Sequence, residues 1–362
     1  MTNHKYANLL LDYCLEIKEG QKLYIKSSTL AEPLLRELYR GGVMRGAHVI
    51  IDMSFNGQNK IFMDHANEDQ LSFASPNHTE AMHEYDAFLV VRAPFNLRED
   101  QNVDSTKRKF RSFALKEINQ AYYNRTASGE LARTLCQYPT NASAQEAGMS
   151  LEEYTDFVFK ACNLHKPDPQ KAWLDVRENQ QSIVDHLNSV NKIRYVGKGT
   201  DISFSVKGRK WINSDGRTNM PSGEVFTGPV EDSVNGIIYF SYPSIYMGTE
   251  VQGITLEVKN GDVVKWSAEK GNGILDKVFD IEGARRFGEV AIGTNYNIQT
   301  PTKNILFDEK IGGTVHMAVG QSYKQTGGLN QSPIHWDMIA EMKDGGQIFA
   351  DNILIYENGV FL

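Results

Sequence analysis

The chain has 362 residues, a length that favours two domains over a single hydrophobic core. Hydrophobic residues make up 41% of it and charged residues 23%, which predicts an ordinary soluble globular protein and not a disordered one. The net charge of −7 argues against nucleic acid as the main partner, because phosphate binding needs a basic face. No run of 18 apolar residues occurs, so we expect no segment to span a membrane.

Three cysteines, Cys14, Cys136 and Cys162, lie far apart and form no CxxC pair. An odd number of widely spaced cysteines predicts reduced thiols in a cytoplasmic protein. The first twenty residues carry acidic side chains within an apolar stripe, which predicts an amphipathic helix and not a secretory signal.

Helices and short apolar strands alternate in the first half of the chain. Helical spacing of apolar residues predicts helices at 6–18, 31–40, 105–127, 143–161 and 173–191, and apolar runs predict strands at 22–26, 47–53 and 86–92. The segment 143–161 is predicted to be a pair of helices, and Ser150 and Glu153 form a predicted capping box at the start of the second one. This alternation predicts an α/β domain over 1–191, with an open, mostly parallel sheet. No GxGxxG follows a strand, so a dinucleotide site is unsupported.

From Lys192 onward glycine becomes frequent and β-branched residues alternate with polar ones. Strands are predicted at 193–196, 202–206, 236–242, 254–258, 290–295, 313–320, 333–338 and 352–356, with one helix at 273–286. Asn260-Gly261 predicts a two-residue hairpin turn. We therefore expect a β-rich second domain over 192–362, either barrel-like or a curved sheet with one inserted helix.

Two histidines of the second half lie in short strand-like runs joined by a glycine-rich loop. Period-two alternation in TVHMAV places His316 on the face opposite Val315 and Met317. The same alternation in PIHWDM gives His335 and Asp337 a common face, about 7 Å apart along the strand. Each histidine alone is equally consistent with a hydrogen-bonded residue of an ordinary strand.

Two glutamates stand beside glycine at the start of apolar runs. Glu224 follows Pro-Ser-Gly and precedes Val-Phe-Thr, a position that also suits the solvated end of a strand. Glu289 lies between Gly288 and Val-Ala-Ile, where a carboxylate is costly to bury unless a cation pairs with it. Arg285 or Arg286 could supply that cation instead of a metal.

These segments together supply a possible ligand set: Glu224, Glu289, His316, His335 and Asp337. Carboxylate and imidazole ligands suit Zn, Mn, Co or Mg better than a soft metal. Five ligands exceed one tetrahedral ion but fit two ions that share a bridging carboxylate. The motifs HExxH and GxSxG and the P-loop are absent from the sequence.

At these residues the chain resembles the M29 family of metallo-aminopeptidases, the aminopeptidase T group. The resemblance is carried by NMPSGEVFT at 219–227, GARRFGEVAIGTN at 283–295, DEKIGGTVHMAVGQSY at 308–323 and SPIHWDM at 332–338. YPTNASAQEAGMSLEEY at 138–154 extends it into the first domain, so it covers nearly the full chain.

The resemblance implies an α/β plus barrel-like fold, a homodimer and a cocatalytic pair of divalent metal ions. The family's ligands fall on the five residues named above, and its tyrosine falls on Tyr323. The implied activity is removal of N-terminal amino acids from peptides by a two-metal activated water. The loop between Tyr323 and His335 is short for the family and the chain is compact, which bears on substrate choice.

For the mechanism we expect Glu289 to bridge the two ions. Glu224 and Asp337 would complete one ligand shell, and His316 and His335 the other. Three carboxylates would offset most of the charge of two dications, while neutral imidazoles would keep the site Lewis acidic.

Two further side chains are candidates for roles at this site. Tyr323 could donate a hydrogen bond to the developing oxyanion, or could simply stack at the loop edge. Glu309 is a second candidate for a ligand or proton shuttle, although an acid in such a segment is more often a turn residue. Another metal-dependent amidase and a non-catalytic binding protein on the same fold are the alternative functions.

Overall fold

The computed structural model describes residues 2–246 and 248–362, which form two compact units. The N-terminal unit runs to Gln170 and includes Gly216–Pro221, and the C-terminal unit comprises Lys171–Asp215 and Ser222–Leu362. The domain boundary expected at residue 191 stays a prediction. The chain first passes from the N-terminal to the C-terminal compact unit after Gln170. The difference arises because Val184 and Leu187, on the helix expected to end the first domain, belong to the core of the C-terminal unit.

The helices are α1 Thr2–Asn8, α2 Glu32–Met44, α3 Gln58–His65, α4 Glu68–Ser72, α5 Pro76–Glu84, α6 Ser105–Ala114, α7 Lys116–Ser128, α8 Asn141–Glu146, α9 Leu151–Ala161, α10 Pro169–Leu187, α11 Asn272–Phe279 and α12 Ile305–Asp308. The first ten strands are β1 Lys22–Ser28, β2 His48–Ser54, β3 Ala87–Arg92, β4 Ala132–Gln137, β5 Lys192–Gly197, β6 Thr200–Ser205, β7 Ile212–Ser214, β8 Asn219–Met220, β9 Glu224–Thr227 and β10 Asn235–Phe240. The other ten are β11 Ser244–Tyr246, β12 Thr249–Val251, β13 Ile254–Lys259, β14 Asp262–Ser267, β15 Phe287–Gly293, β16 Thr314–Gly320, β17 His335–Glu341, β18 Gln347–Ala350, β19 Ile353–Glu357 and β20 Val360–Phe361.

The N-terminal unit is built on a five-stranded sheet with the order β2-β1-β3-β4-β8. Every pairing in this sheet is parallel, as the alternation of helices and apolar strands predicts. The interior of β3 is almost entirely apolar, with Leu89 fully buried. The expected open parallel sheet is therefore confirmed.

The C-terminal unit contains two larger antiparallel sheets that share one hydrophobic core. Eight strands follow the order β14-β13-β10-β6-β5-β18-β19-β20, five follow β17-β16-β15-β9-β7, and β11 pairs with β12 as a separate hairpin. Among the described residues the pairing orders are open at both ends, so the unit consists of two packed sheets and not of one closed barrel. The β-rich, antiparallel character of this half is confirmed.

Most predicted elements occur within a few residues of their expected bounds. The Ser150–Glu153 capping box starts α9, and Asn260 and Gly261 both have positive φ in the β13–β14 hairpin. The predicted helix 105–127 is two helices, α6 and α7, with Leu115 between them. The predicted helix 273–286 is too long, because α11 ends at Phe279 and the chain turns before β15.

The beginning of the chain departs from a regular helix. After α1, Leu9–Cys14 continues as a π-helix, and the apolar side chains of this turn are buried. All three cysteines are buried. Within the described residues, the helices are too short or too polar to meet the requirements of a membrane span.

Candidate metal centre

In the five-stranded antiparallel sheet of the C-terminal unit, successive side chains of each strand point alternately to the hydrophobic core and to the opposite face, where the candidate residues lie. Val315, Met317 and Val319 of β16 belong to the hydrophobic core. His316 faces the opposite side, and all seven residues of β16 are buried. On β17, Trp336 and Met338 likewise join the core while His335 and Asp337 do not. The predicted faces of both strands are therefore confirmed.

Strand register brings the candidate residues of four strands onto this one face. Ala318 of β16 pairs with Glu289 of β15 on one side and with Asp337 of β17 on the other. Gly320 pairs with His335, and Gly293 pairs with Glu224 of β9. Directly paired residues lie on the same face of a sheet. Glycine and alanine opposite the ligand-type residues keep that face clear.

A β-bulge at Gly288 places Glu289 on this face. Phe287 pairs with Val319 and packs in the core, whereas Glu289, two residues later, pairs with Ala318 on the opposite face. Without the extra residue of a bulge, both side chains would point the same way. A Cβ on Gly288 would lie 2.4 Å from the carbonyl oxygen of Gln321, so only glycine fits there.

Glu224 is positioned by the turn that precedes β9. Gly223 has φ of +115°, and a Cβ there would lie 2.7 Å from Cβ of Asn295. Asn295 Nδ2 donates to the Ser222 carbonyl at 2.8 Å, and Gln180 Nε2 donates to the backbone carbonyl of Glu224 at 3.2 Å. Glu224 is 5% exposed, so it is a buried residue and not the solvated strand end of the alternative interpretation.

The side chains converge on two histidine nitrogens. His316 Nε2 lies 3.3 Å from Glu224 Oε2 and 3.3 Å from Glu289 Oε1. His335 Nε2 lies 3.5 Å from Glu289 Oε2 and 3.5 Å from Asp337 Oδ1. The two oxygens of Glu289 therefore face different histidines, as expected of a carboxylate between two sites.

The ligand-type atoms form two groups, and within each group they lie within 4.8 Å of one another. The first group is Glu224, Glu309 and His316, and the second is Glu289, His335 and Asp337. The sequence-based assignment differs, because it placed Glu224 with Asp337 and the two histidines together. In the structure each group contains one histidine. The strand register, which separates His316 from His335, produces this arrangement.

Several buried polar atoms of these groups lack a hydrogen-bond partner among the described residues. They are Glu224 Oε2, Asp337 Oδ1 and His316 Nδ1. Buried polar atoms are normally paired, because an unpaired one costs about 1–3 kcal/mol. Two of the three are carboxylate oxygens beside an imidazole nitrogen, which is the donor set that binds Zn and related divalent ions. The residues therefore fit a divalent metal.

The electrostatics of the cluster demand positive charge. Burial alone would lower the pKa of each histidine, but the surrounding carboxylates raise the pKa of His316 to about 9 and that of His335 to about 10. Burial raises the pKa of Glu289, while His335 overrides burial and lowers the pKa of Asp337 to about 2. Bound dications would satisfy this excess of carboxylate charge more completely than protons do.

Arginine does not provide the missing charge for Glu289. Arg285 Nε donates to the Phe279 carbonyl at 2.8 Å, and Arg286 pairs with Asp262 at 3.1 Å. The alternative in which one of these arginines neutralises Glu289 is therefore wrong.

A lysine that the sequence did not single out belongs to the first group. Lys310 is fully buried, its Nζ lies 3.3 Å from Glu224 Oε1, and it also contacts Glu309 Oε1. Burial raises the pKa of Glu309 to about 8. Burial would lower the pKa of Lys310, but Glu224 and Glu309 together raise it above its ordinary value. Nothing in Asp-Glu-Lys distinguishes these residues from an exposed charged turn.

Tyr323 follows β16 and lies at the edge of the cluster. Its ring centroid is 5.1 Å from that of His335 and 5.6 Å from that of Phe226. The residue is 45% exposed, and burial raises the pKa of its phenol, so the hydroxyl stays protonated. The tyrosine therefore reaches the site from the solvent side.

The chain is similar in sequence to proteins named aminopeptidases. The chain is 29% identical over 349 residues to Aminopeptidase 2 of Geobacillus stearothermophilus, covering 88% of this chain and 83% of the relative. It is 27% identical over 380 residues to Aminopeptidase AmpS of Bacillus subtilis strain 168, covering 94% and 92%.

The fold is shared with a solved structure, wild-type AmpT from Thermus thermophilus. The two superpose with a TM-score of 0.85 at 22% identity, over 100% of this chain and 99% of the other. The family model described as thermophilic metalloprotease (M29) matches residues 2–361. The buried carboxylate–histidine cluster thus lies in a chain that belongs, over almost its whole length, to the M29 family of thermophilic metalloproteases.

Proposed function

We propose that this protein is a metal-dependent aminopeptidase that removes N-terminal amino acids from peptides with the help of two divalent ions. The observation that carries the proposal is the convergence of four carboxylates and two imidazoles on one face of a sheet, with ligand-type atoms left unpaired among the described residues. Membership of the metalloprotease family and similarity to proteins named aminopeptidases support the reaction class.

The grouping of side chains suggests how two ions would be held. Glu224, Glu309 and His316 would hold one ion, and His335 and Asp337 the other. Glu289 would bridge them, since its two oxygens face the two different histidines. This keeps the bridging role expected for Glu289 and exchanges the partners of the histidines.

Bound ions would supply a Lewis acid and an activated water for attack on the scissile carbonyl. The free α-amine of the substrate would bind near one ion or a carboxylate of the cluster, which would restrict cleavage to the first residue. Tyr323, protonated and half-exposed beside His335, would donate a hydrogen bond to the oxyanion that develops on the substrate. These residues therefore account for both the position of cleavage and part of the transition-state stabilisation.

Carboxylate and imidazole ligands are compatible with Zn, Co, Mn or Mg, so the metal must be measured. A homodimer and a cytoplasmic location are further expectations from the resemblance to the family. Light scattering of the purified protein tests the first, and fractionation of cells tests the second.

The decisive experiment is release of amino acids from matched pairs of unblocked and N-acetylated peptides, with chelated and metal-reconstituted protein. We expect release only from the unblocked peptides and only with metal, at a stoichiometry near two ions per chain. Cleavage of both members of a pair would favour another metal-dependent amidase. Metal binding without cleavage of either would favour a binding protein and overturn the proposal.

A further inference from the structure

The backbone around Lys310 is fixed from several directions. Its N–H donates to the Phe307 carbonyl at 3.0 Å, and its own carbonyl accepts from Asn295 N at 3.0 Å. The buried Asp308 carboxylate, two residues earlier, accepts from the backbone N–H of Thr302 at 2.8 Å and of Lys303 at 2.7 Å. The lysine side chain therefore starts from a rigid point and not from a mobile turn.

The side chain places its ammonium among ligand-type oxygens. Nζ lies 3.3 Å from Glu224 Oε1 and contacts Glu309 Oε1, and the residue has no exposed surface. Lysine is almost never fully buried unless it is paired. Removing an ammonium from water costs free energy that its ion pairs need not recover, so stabilisation of the fold does not explain why this lysine is buried.

The two ligand groups are unequal in this respect. The first group, Glu224–Glu309–His316, holds the ammonium of Lys310 within it. Among the described residues, neither Glu289 nor Asp337 of the second group has a lysine or arginine within 4.0 Å. Of the two candidate ion positions, one thus already contains a tethered lysine ammonium, whereas the other has no lysine or arginine within this distance among the described residues.

We infer that Lys310 is a positioning residue whose fixed positive charge makes the Glu224–Glu309–His316 group bind its divalent ion more weakly than the Glu289–His335–Asp337 group. This inference rests on the proposed two-ion function. The ammonium occupies acceptor directions on two of the three ligands and repels an incoming dication at close range. It also keeps Glu224 and Glu309 in place before the ion arrives, so the weaker position stays preorganised. The protein would therefore bind its two ions in order, and the first group would exchange its ion more readily.

The test is equilibrium dialysis of metal-free protein against chelator-buffered Zn²⁺, with bound metal counted by elemental analysis. We expect two classes of binding in the wild type, one ion per class, at least tenfold apart. His316→Ala should delete the weak class and His335→Ala the tight class. Lys310→Met should tighten the weak class by at least tenfold, about 1.4 kcal/mol, and leave the tight class unchanged.

Two further variants of Lys310 and one control distinguish the effect of its charge from the effect of its side-chain packing. Lys310→Gln keeps a hydrogen-bonding side chain without charge and should also tighten the weak class, which covers the case in which Lys310→Met fails to fold. Lys310→Arg keeps the charge and should leave that class weak. Lys265→Met removes an exposed lysine that pairs with Glu257 and should change neither class.

Two results would overturn the inference while leaving the proposed function intact. The first is binding of two ions with equal affinity in the wild type, and the second is an unchanged gap between the classes in both neutral variants. Failure of the wild type to bind any ion would instead refute the proposed function itself.

Discussion

The central strands of the two units bury polar groups in opposite ways. Beside β3 in the N-terminal unit, the hydroxyls of Ser27 and Ser28 donate to the Val91 and Ala93 carbonyls at 2.9 and 2.6 Å. In the sheet around β16, by contrast, Glu224 and Asp337 each retain an oxygen without a hydrogen-bond partner among the described residues. The first sheet pairs its polar groups within the fold, whereas the second leaves buried oxygens unpaired in the cluster that we propose binds metal. The following predictions test that contrast, from the largest effect to the smallest.

Glu289→Gln should have the largest effect, because Glu289 contacts both histidines. We expect turnover of an unblocked peptide to fall by about 10³-fold or more, since substitutions that only support ligands already cost 10–100-fold. Metal stoichiometry should fall below two per chain. The measurement combines steady-state kinetics with elemental analysis, and Glu257→Gln, a partly exposed carboxylate of β13 that pairs with Lys259 and Lys265, is the matched control. Retained turnover would remove Glu289 from the site.

Leu89→Ala, in the middle of β3, should act on stability alone. Leu89 is fully buried and pairs with Ile25 and Thr134 in the parallel sheet. Truncation of such a leucine costs about 3 kcal/mol, so the midpoint of thermal unfolding should fall. Metal stoichiometry and kcat of the folded protein should not change, and Leu97→Ala, half-exposed, should change nothing. A loss of bound metal in Leu89→Ala would contradict the prediction that this substitution changes stability alone.

Tyr323→Phe should lower kcat and leave both metal ions bound. Loss of a buried oxyanion donor costs about 10²–10³-fold, and the 45% exposure of Tyr323 suggests a smaller effect, about 10- to 100-fold. The check is kcat together with metal content, against Tyr123→Phe on an exposed helix face. An unchanged kcat would leave Tyr323 as a ring that only stacks on His335.

The smallest expected effect is on the pH dependence of stability, and it comes from Glu250, which pairs with Lys270 and Lys303. Hydrogen bonds from Lys270 and then Lys303 lower its pKa to about 2 in the folded protein. Since the folded pKa is depressed, the stabilising contribution is present above the ordinary pKa of 4.5 and is lost as the pH falls towards 2. Glu250→Gln should therefore reduce the free energy of unfolding at pH 7 by under about 1 kcal/mol.

Chemical denaturation at two pH values measures this contribution of Glu250 to the free energy of unfolding. The difference between wild type and Glu250→Gln should shrink between pH 5 and pH 3. A difference that is constant with pH would assign the effect to packing and not to charge.

Part of the candidate site can be predicted from the sequence, because the alternation of side chains along a strand is a local property. The faces of His316, His335 and Asp337 follow from period-two spacing alone. Glu289 is different, since its direction depends on the bulge at Gly288, and one extra residue cannot be located from alternation. Its closeness to both histidines depends on the register between strands that are distant in sequence, and local alternation does not give that register.

Charged turns were the least predictable part of the site. Glu309 and Lys310 follow the short helix α12 and look like solvent-exposed residues in the sequence, yet Lys310 is fully buried between two carboxylates. Burial of a charge depends on what packs above it, and that information lies in other segments, such as the pairing of Asn295 with the Lys310 carbonyl. The π-helical turn at Leu9–Cys14 likewise has no local signature.

The alternation along β16 has a consequence for protein engineering. Val315, Met317 and Val319 pack in the interior of the unit, while His316 lies on the opposite face with the carboxylate cluster. A designer can therefore change position 316 and the even-numbered positions beside it while repacking the interior at the odd-numbered ones, as two separate optimisation problems on a single seven-residue segment.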